Sequence, residues 1–223
     1  EAYIAISVFF IVNGLILWYI PSDLNIFDYN KATLLPFFSI APWVLLFLIP
    51  AITMKMVSSE IMQRTHLILF TKSVKKSEII GGKFLASLTI GITAILPSLV
   101  FVYSIYHLST PIGNIDQGEL IGSYVGMILL VALYSSIGLF CSSISKNPMI
   151  SFISTVILIL FLYFVFDFLV YFYNIPLLEY LSVEFHYESI RRGVIDTRDI
   201  IYFTSLIILF LYFSTIAIDR ESI

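Results

Sequence analysis

The sequence predicts an all-α polytopic membrane protein with six transmembrane helices, and two observations carry that prediction. The chain is 59% hydrophobic and only 12% charged, with a mean hydropathy of +0.99, whereas soluble domains are about 45 to 50% apolar and about 25% charged. The apolar residues also fall in continuous runs of about 20, the length a helix needs to cross the hydrocarbon core. Barrel strands would alternate every second residue, and these runs do not.

Six runs are expected to span: Ala2 to Ile20, Leu34 to Thr53, Phe84 to Tyr106, Leu120 to Ile144, Met149 to Phe172 and Ile200 to Ile218. Together they make residues 1–223 one transmembrane domain. The first run lacks a basic flank and ends in Trp18, Tyr19 and Pro21, which does not suit a cleaved signal. The chain starts directly on this run without Met, so a preceding N-terminal segment is expected in the natural protein. Pro36, Pro42 and Pro50 in the second run and Pro97 in the third remove backbone donors and predict curved helices. Gly122 and Gly126 form G-x-x-x-G at the head of the fourth run, which allows a close helix contact inside the bundle or between subunits.

Six spans put the loop from Met54 to Lys83, the turn at Lys146 and the C-terminal tail on one side. That side holds Lys55, Arg64, Lys72, Lys75, Lys76, Lys83, Lys146 and Arg220, and the other holds Lys31, Arg191, Arg192 and Arg198. The basic excess places the Met54 to Lys83 loop in the cytoplasm. Fixing topology alone does not require so long a loop, and the loop has a helical pattern. From Ser59 to Phe70, Ile61, Met62, Thr65, Ile68 and Leu69 fall on one face, with Gln63, Arg64, His66, Leu67 and Phe70 on the other. Ser58 or Ser59 can cap the start, and Glu60 suits the first turn. Leu67 and Phe70 then face outward, as anchors for a cytoplasmic partner or on a helix resting at the headgroups.

The loop resembles that of the type-2 ABC transporter permeases, whose pattern is an S-E pair, a Thr, an apolar stretch, a Pro-Val turn and an I-x-G-K leading into the third span. The matching residues are Ser59-Glu60, Thr65, Leu67 to Phe70, Val74, Ile79-Ile80 and Gly82-Lys83. Arg64 stands where the family usually has Gly, and Ser73 where it has Pro. The segments PIGNIDQGELIGSYVG and FHYESIRRGVIDTRDIIYF look most like the gliding-motility-associated branch. The resemblance implies a type-2 exporter-like fold in a bacterial inner membrane and a coupling helix between the second and third spans. It also implies an ABC ATP-binding subunit as partner and a second permease subunit in a homo- or heterodimer.

The resemblance assigns ATPase coupling to Glu60, Arg64, Thr65, Leu67 and Phe70, with Lys72, Lys75 and Lys76 in the same loop. The chain has no G-x-x-x-x-G-K-[ST] loop to wrap phosphates, so ATP and Mg are expected in the partner ATPase and this subunit is expected to be no enzyme. Of the remaining segments, Asn174 to Asp199 mixes Leu, Val, Phe and Ile with Glu, His and Arg. The family implies short re-entrant helices there that close the outer mouth, assigning an outer gate to Phe185, His186, Arg191, Arg192 and Gly193. Glu184, His186 and Glu188 make a poor metal set with no second His, and none is expected. Asp167 is the one ionisable residue well within a run, suited to reaching the outer interface or to gating. Cys141, the only cysteine, reads as a packing residue. No protease motif or embedded carboxylate pair is present.

The expected function is that of a permease subunit coupling ATP hydrolysis elsewhere to export or to mechanical work on the envelope, including gliding. A non-transporting scaffold driven by the same ATPase is the alternative. A stand-alone channel or carrier is disfavoured by the scarcity of intramembrane charge and the lack of inverted repeats.

Overall fold

The computed structural model describes residues 2–21, 24–26, 32–65, 75–173 and 176–221. Among these residues the chain is helical, with no strand. Helix α1 is Ala2–Trp18, α2 Leu35–Thr53, α3 Ser58–Met62, α4 Lys76–Ile95, α5 Leu99–Leu108, α6 Gln117–Ile144, α7 Pro148–Tyr173, α8 Val183–Arg191 and α9 Thr197–Glu221.

Five helical stretches are long and apolar enough to cross a membrane, beginning at Leu35, Lys76, Gln117, Pro148 and Thr197. The sixth expected span, Ala2 to Ile20, is shorter: α1 has 17 residues, about 26 Å at 1.5 Å per residue, against a hydrocarbon core of about 30 Å. The third span starts at Lys76 rather than Phe84, because Glu78 accepts the Lys75 N–H at 3.2 Å and starts the helix among charged residues.

Three other spans begin on short polar caps, which satisfy backbone donors that have no helical partner. Asp116 Oδ1 accepts from Gly118 N at 2.9 Å and Glu119 N at 3.2 Å. Asn147 Oδ1 accepts from Met149 N at 2.9 Å, with Pro148 in the first turn. Asp196 Oδ1 accepts from Arg198 N at 3.1 Å and from the Thr197 hydroxyl at 3.3 Å. The backbone bond from Arg198 is the main cause that holds the Asp196 carboxyl below its ordinary range.

Pro97 interrupts its helix as expected, in a 3-10 turn over Leu96–Ser98 that separates α4 from α5. Ser98 Oγ accompanies the break, bonded to Ile95 O at 2.7 Å and to the Tyr124 hydroxyl of α6 at 2.8 Å. Pro36 lies in the first turn of α2, where its missing donor costs nothing; α2 runs through Pro42 and Pro50 as one helix.

Helix α6 is the axis of the bundle and packs against α2, α4, α7, α8 and α9. In lipid there is little hydrophobic gain from pairing helices, so close packing of small residues and hydrogen bonds between helices does the work. The sequence of α6 supplies both: Gly122, Ser123, Gly126, Ser135, Ser136, Gly138, Ser142 and Ser143 are all buried. Ser87 of α4 donates to Ser135 Oγ at 2.6 Å. Gly138 lies against Thr53 of α2; a Cβ there would collide with the Thr53 hydroxyl oxygen. Helices α7 and α9 instead turn large apolar side chains outward, among them Phe161, Phe168, Ile201, Ile208 and Tyr212.

Candidate functional site

At one end of the bundle the loop after α2 is fastened to three other helices. The Ser142 hydroxyl of α6 accepts the N–H groups of Val57 at 3.1 Å and Ser58 at 3.0 Å, and donates to Met54 O at 3.1 Å. One side chain thus fixes the turn that leads into α3. Beneath it Val57 and Ile61 pack with Ile80 of α4, Leu139 of α6 and Ile218 of α9 in a small separate core. Lys83 of α4 reaches over this core, bonding the Met56 carbonyl and the Glu60 carboxylate. Lys76 pairs with Asp219 of α9 at 2.7 Å. The loop, the start of α4 and the end of α9 therefore share one end, as an even number of spans requires.

Helix α3 ends sooner than the pattern over Ser59 to Phe70 predicts. It stops at Met62, and Arg64 adopts φ +57°. Arg64 N donates to Ile61 O at 3.1 Å and Thr65 N to Glu60 O at 3.0 Å, the paired bonds of a Schellman turn. A left-handed residue cannot continue a helix, so the predicted faces fail here. Ile61 is buried, but Met62 and Thr65, placed on the same face by periodicity, are exposed with Gln63 and Arg64. Among the predicted coupling residues, Glu60, Arg64, Thr65, Lys75 and Lys76 are thus brought to one end of the bundle. Leu67, Phe70 and Lys72 lie outside the described residues.

At the opposite end, α8 is wedged against the bundle. Val183, His186, Tyr187 and Ile190 are buried, at i, i+3, i+4 and i+7. Its seat is the G-x-x-x-G of α6: a Cβ on Gly122 would meet Ile190 O at 2.6 Å, and one on Gly126 the Tyr187 ring at 3.2 Å. Gly193, at φ +84°, completes the fit, for a Cβ there would lie 2.9 Å from Glu119 N. That contact is within the chain, which settles where the motif packs.

Hydrogen bonds then tie the wedge to three helices. Tyr187 OH donates to Phe38 O of α2 at 2.8 Å, and Ser123 Oγ of α6 donates to Arg191 O at 3.0 Å. The Arg191 guanidinium binds the Ser39 hydroxyl of α2 and Glu188 Oε2 at 2.5 Å. His186 Nδ1 lies 2.6 Å from Asp199 Oδ1 of α9, its Nε2 lies 2.9 Å from Tyr180 O, and its ring stacks on Tyr202 at 4.0 Å. Both ring nitrogens thus face oxygens. With both nitrogens engaged, His186 is a tether between α8 and α9. Phe185 is half-buried against Tyr180, and Arg192 is exposed, its Nε donating to Glu188 O at 3.3 Å. Asp167 lies within α7, but its side chain is outside the described residues.

Tyr187, Ser123, Asp199 and Ser142 were not among the residues expected to matter. The spacing of Val183, Tyr187 and Ile190 is a signal for the first. Nothing local marks the others.

An open apolar cleft of about 910 Å³ runs along α1 and α2. Ile4, Val8, Val12 and Ile16 form one wall, Trp43 and Phe47 stand in the other, and Lys55 lies at the loop end.

Residues 3–218 match the family described as ABC-2 family transporter protein. This chain belongs to that family. No curated protein matches it. As an ABC-2 permease it is a multi-pass membrane subunit, and its family is a transmembrane one, distinct from the nucleotide-binding domain. Membership implies an ATP-binding partner subunit.

Proposed function

We propose that this ABC-2 permease takes up the motion of a separate ATP-binding subunit through residues 58–76 and converts it into export or mechanical work on the cell envelope, as in gliding motility. One observation carries the reading: the loop after α2 is fixed by Ser142 and Lys83 to α6 and α4 instead of hanging free. A loop that only set topology would need no such anchorage, whereas a push on α3 requires stiff attachments to reach the spans. ATP and Mg belong to the partner, and the coupling loop lies on the cytoplasmic side of a bacterial inner membrane.

The open cleft along α1 and α2 supports a second permease subunit as the other partner, because an apolar wall of this size can be covered by helices of another chain. On this reading the α8 wedge closes the outer mouth.

The test is co-purification in mild detergent followed by substitution. An ATP-binding subunit should accompany the chain, and Leu67→Asp with Phe70→Asp should release it while leaving the permease folded. Retention of the ATPase by that double variant would show that docking lies elsewhere. ATP-dependent movement of lipid, peptide or polysaccharide in reconstituted complexes separates transport from scaffolding.

A further inference from the structure

We infer that the Glu60–Lys83 ion pair is the link by which displacement of α3 enters the third span, which makes Lys83 a positioning residue for coupling and turns the Glu60 carboxylate inward rather than toward a docked subunit. The inference rests on the reading that an ATP-binding subunit moves this loop. A push on α3 has two covalent routes. Toward α2 the route is short, residues 54–57, and Ser142 holds it at three atoms. Toward α4 the chain leaves α3 by the Schellman turn at Arg64, where the helix ends.

Lys83 bypasses that route. It sits two turns inside α4, and its ammonium bonds both the Met56 carbonyl before α3 and the Glu60 carboxylate within it, with Nζ 2.5 Å from Oε2. The side chain of Lys83 is 17% exposed and that of Glu60 36%, so the ammonium end of the pair is shielded from solvent. The apolar contact of Ile61 with Ile80 lies alongside, but such contacts are non-directional and can slide. An ion pair with a second bond to a backbone carbonyl fixes position. Lys76, two turns nearer the start of α4, then hands the movement on to α9 through Asp219.

The experiment uses the full chain in complex with its ATP-binding subunit in lipid nanodiscs and follows amide hydrogen exchange with and without a non-hydrolysable ATP analogue. In the unaltered complex the nucleotide should change exchange in both 58–62 and 76–95. Lys83→Met should abolish the response of 76–95 and keep that of 58–62, and Lys83→Arg should preserve both. A response of 76–95 that survives Lys83→Met, or a loss that Lys83→Arg shares, overturns the inference while leaving the docking reading intact. Absence of any nucleotide response at 58–62 in the unaltered complex overturns the docking reading, and this inference with it.

Discussion

Replacing Gly122 by Ala adds a single methyl group where α6 meets the end of α8. The new Cβ would lie 2.6 Å from Ile190 O and 2.8 Å from Gly193 Cα, both backbone atoms that cannot rotate away. Carbon atoms rest about 3.5 to 4.0 Å apart, so the chain after α8 must retreat by about an ångström or α6 must shift. Either movement loosens the Ser123–Arg191 bond, which crosses the same contact at 3.0 Å. Overpacking of this kind costs about 1 to 3 kcal/mol, and loss of one interhelical bond in a membrane adds about 0.6 kcal/mol. Gly82 in α4 is the control, because a Cβ there meets nothing within 4 Å. At that site Ala should be neutral or stabilise by up to about 1 kcal/mol through helix propensity. Unfolding both variants in mixed detergent micelles would measure the difference. If Gly122→Ala is as stable as Gly82→Ala, the wedge does not seat on α6 as described.

Two further outcomes follow from the loop end. Ser142→Ala leaves the N–H groups of Val57 and Ser58 without their acceptor, and should destabilise the protein by about 1 to 3 kcal/mol, with faster exchange at those two amides as the local signature. Arg64→Gly removes the strain of a left-handed non-glycine residue, about 1 to 2 kcal/mol, and returns part of it as extra freedom in the unfolded chain. The Thr65 amide should therefore exchange more slowly in that variant, and faster exchange would contradict the Schellman turn.

What the sequence made legible depended on how local its physical cause is. The all-helical class and five of the six expected spans follow from apolar runs, which composition displays directly. The start of α4 escaped because Lys76, Glu78 and Lys83 lower the hydropathy of a segment that is nevertheless helical. The end of α3 escaped because periodicity is blind to one left-handed residue, yet Arg64 in place of the family's Gly was the signal: that position wants a residue without a Cβ penalty. Helix α8 was readable as amphipathic once His186 counts with Val183, Tyr187 and Ile190 on the buried side. Its partner Asp199 was not, since the pairing of His186 with α9 depends on how α8 folds back.

The two ends of the molecule meet in α6, and the character of that helix decides what they can exchange. Its 28 residues extend about 42 Å at 1.5 Å per residue, without proline. Ser142 and Gly138 hold the α2 loop at one end; Gly122, Ser123 and Gly126 hold α8 at the other. The route through α4 differs, for its hydrogen-bond ladder is broken at Leu96–Ser98, where Ser98 is bonded sideways to Tyr124 of α6. An unbroken helix transmits displacement along its length, while a helix interrupted by a 3-10 turn can bend there instead. The loop thus holds two spans of unequal stiffness, α6 by a serine hydroxyl and α4 by the ammonium of Lys83. Under the proposed coupling, equal pushes at those two points produce unequal motion at the far end, so that a single thrust on α3 becomes relative movement between spans.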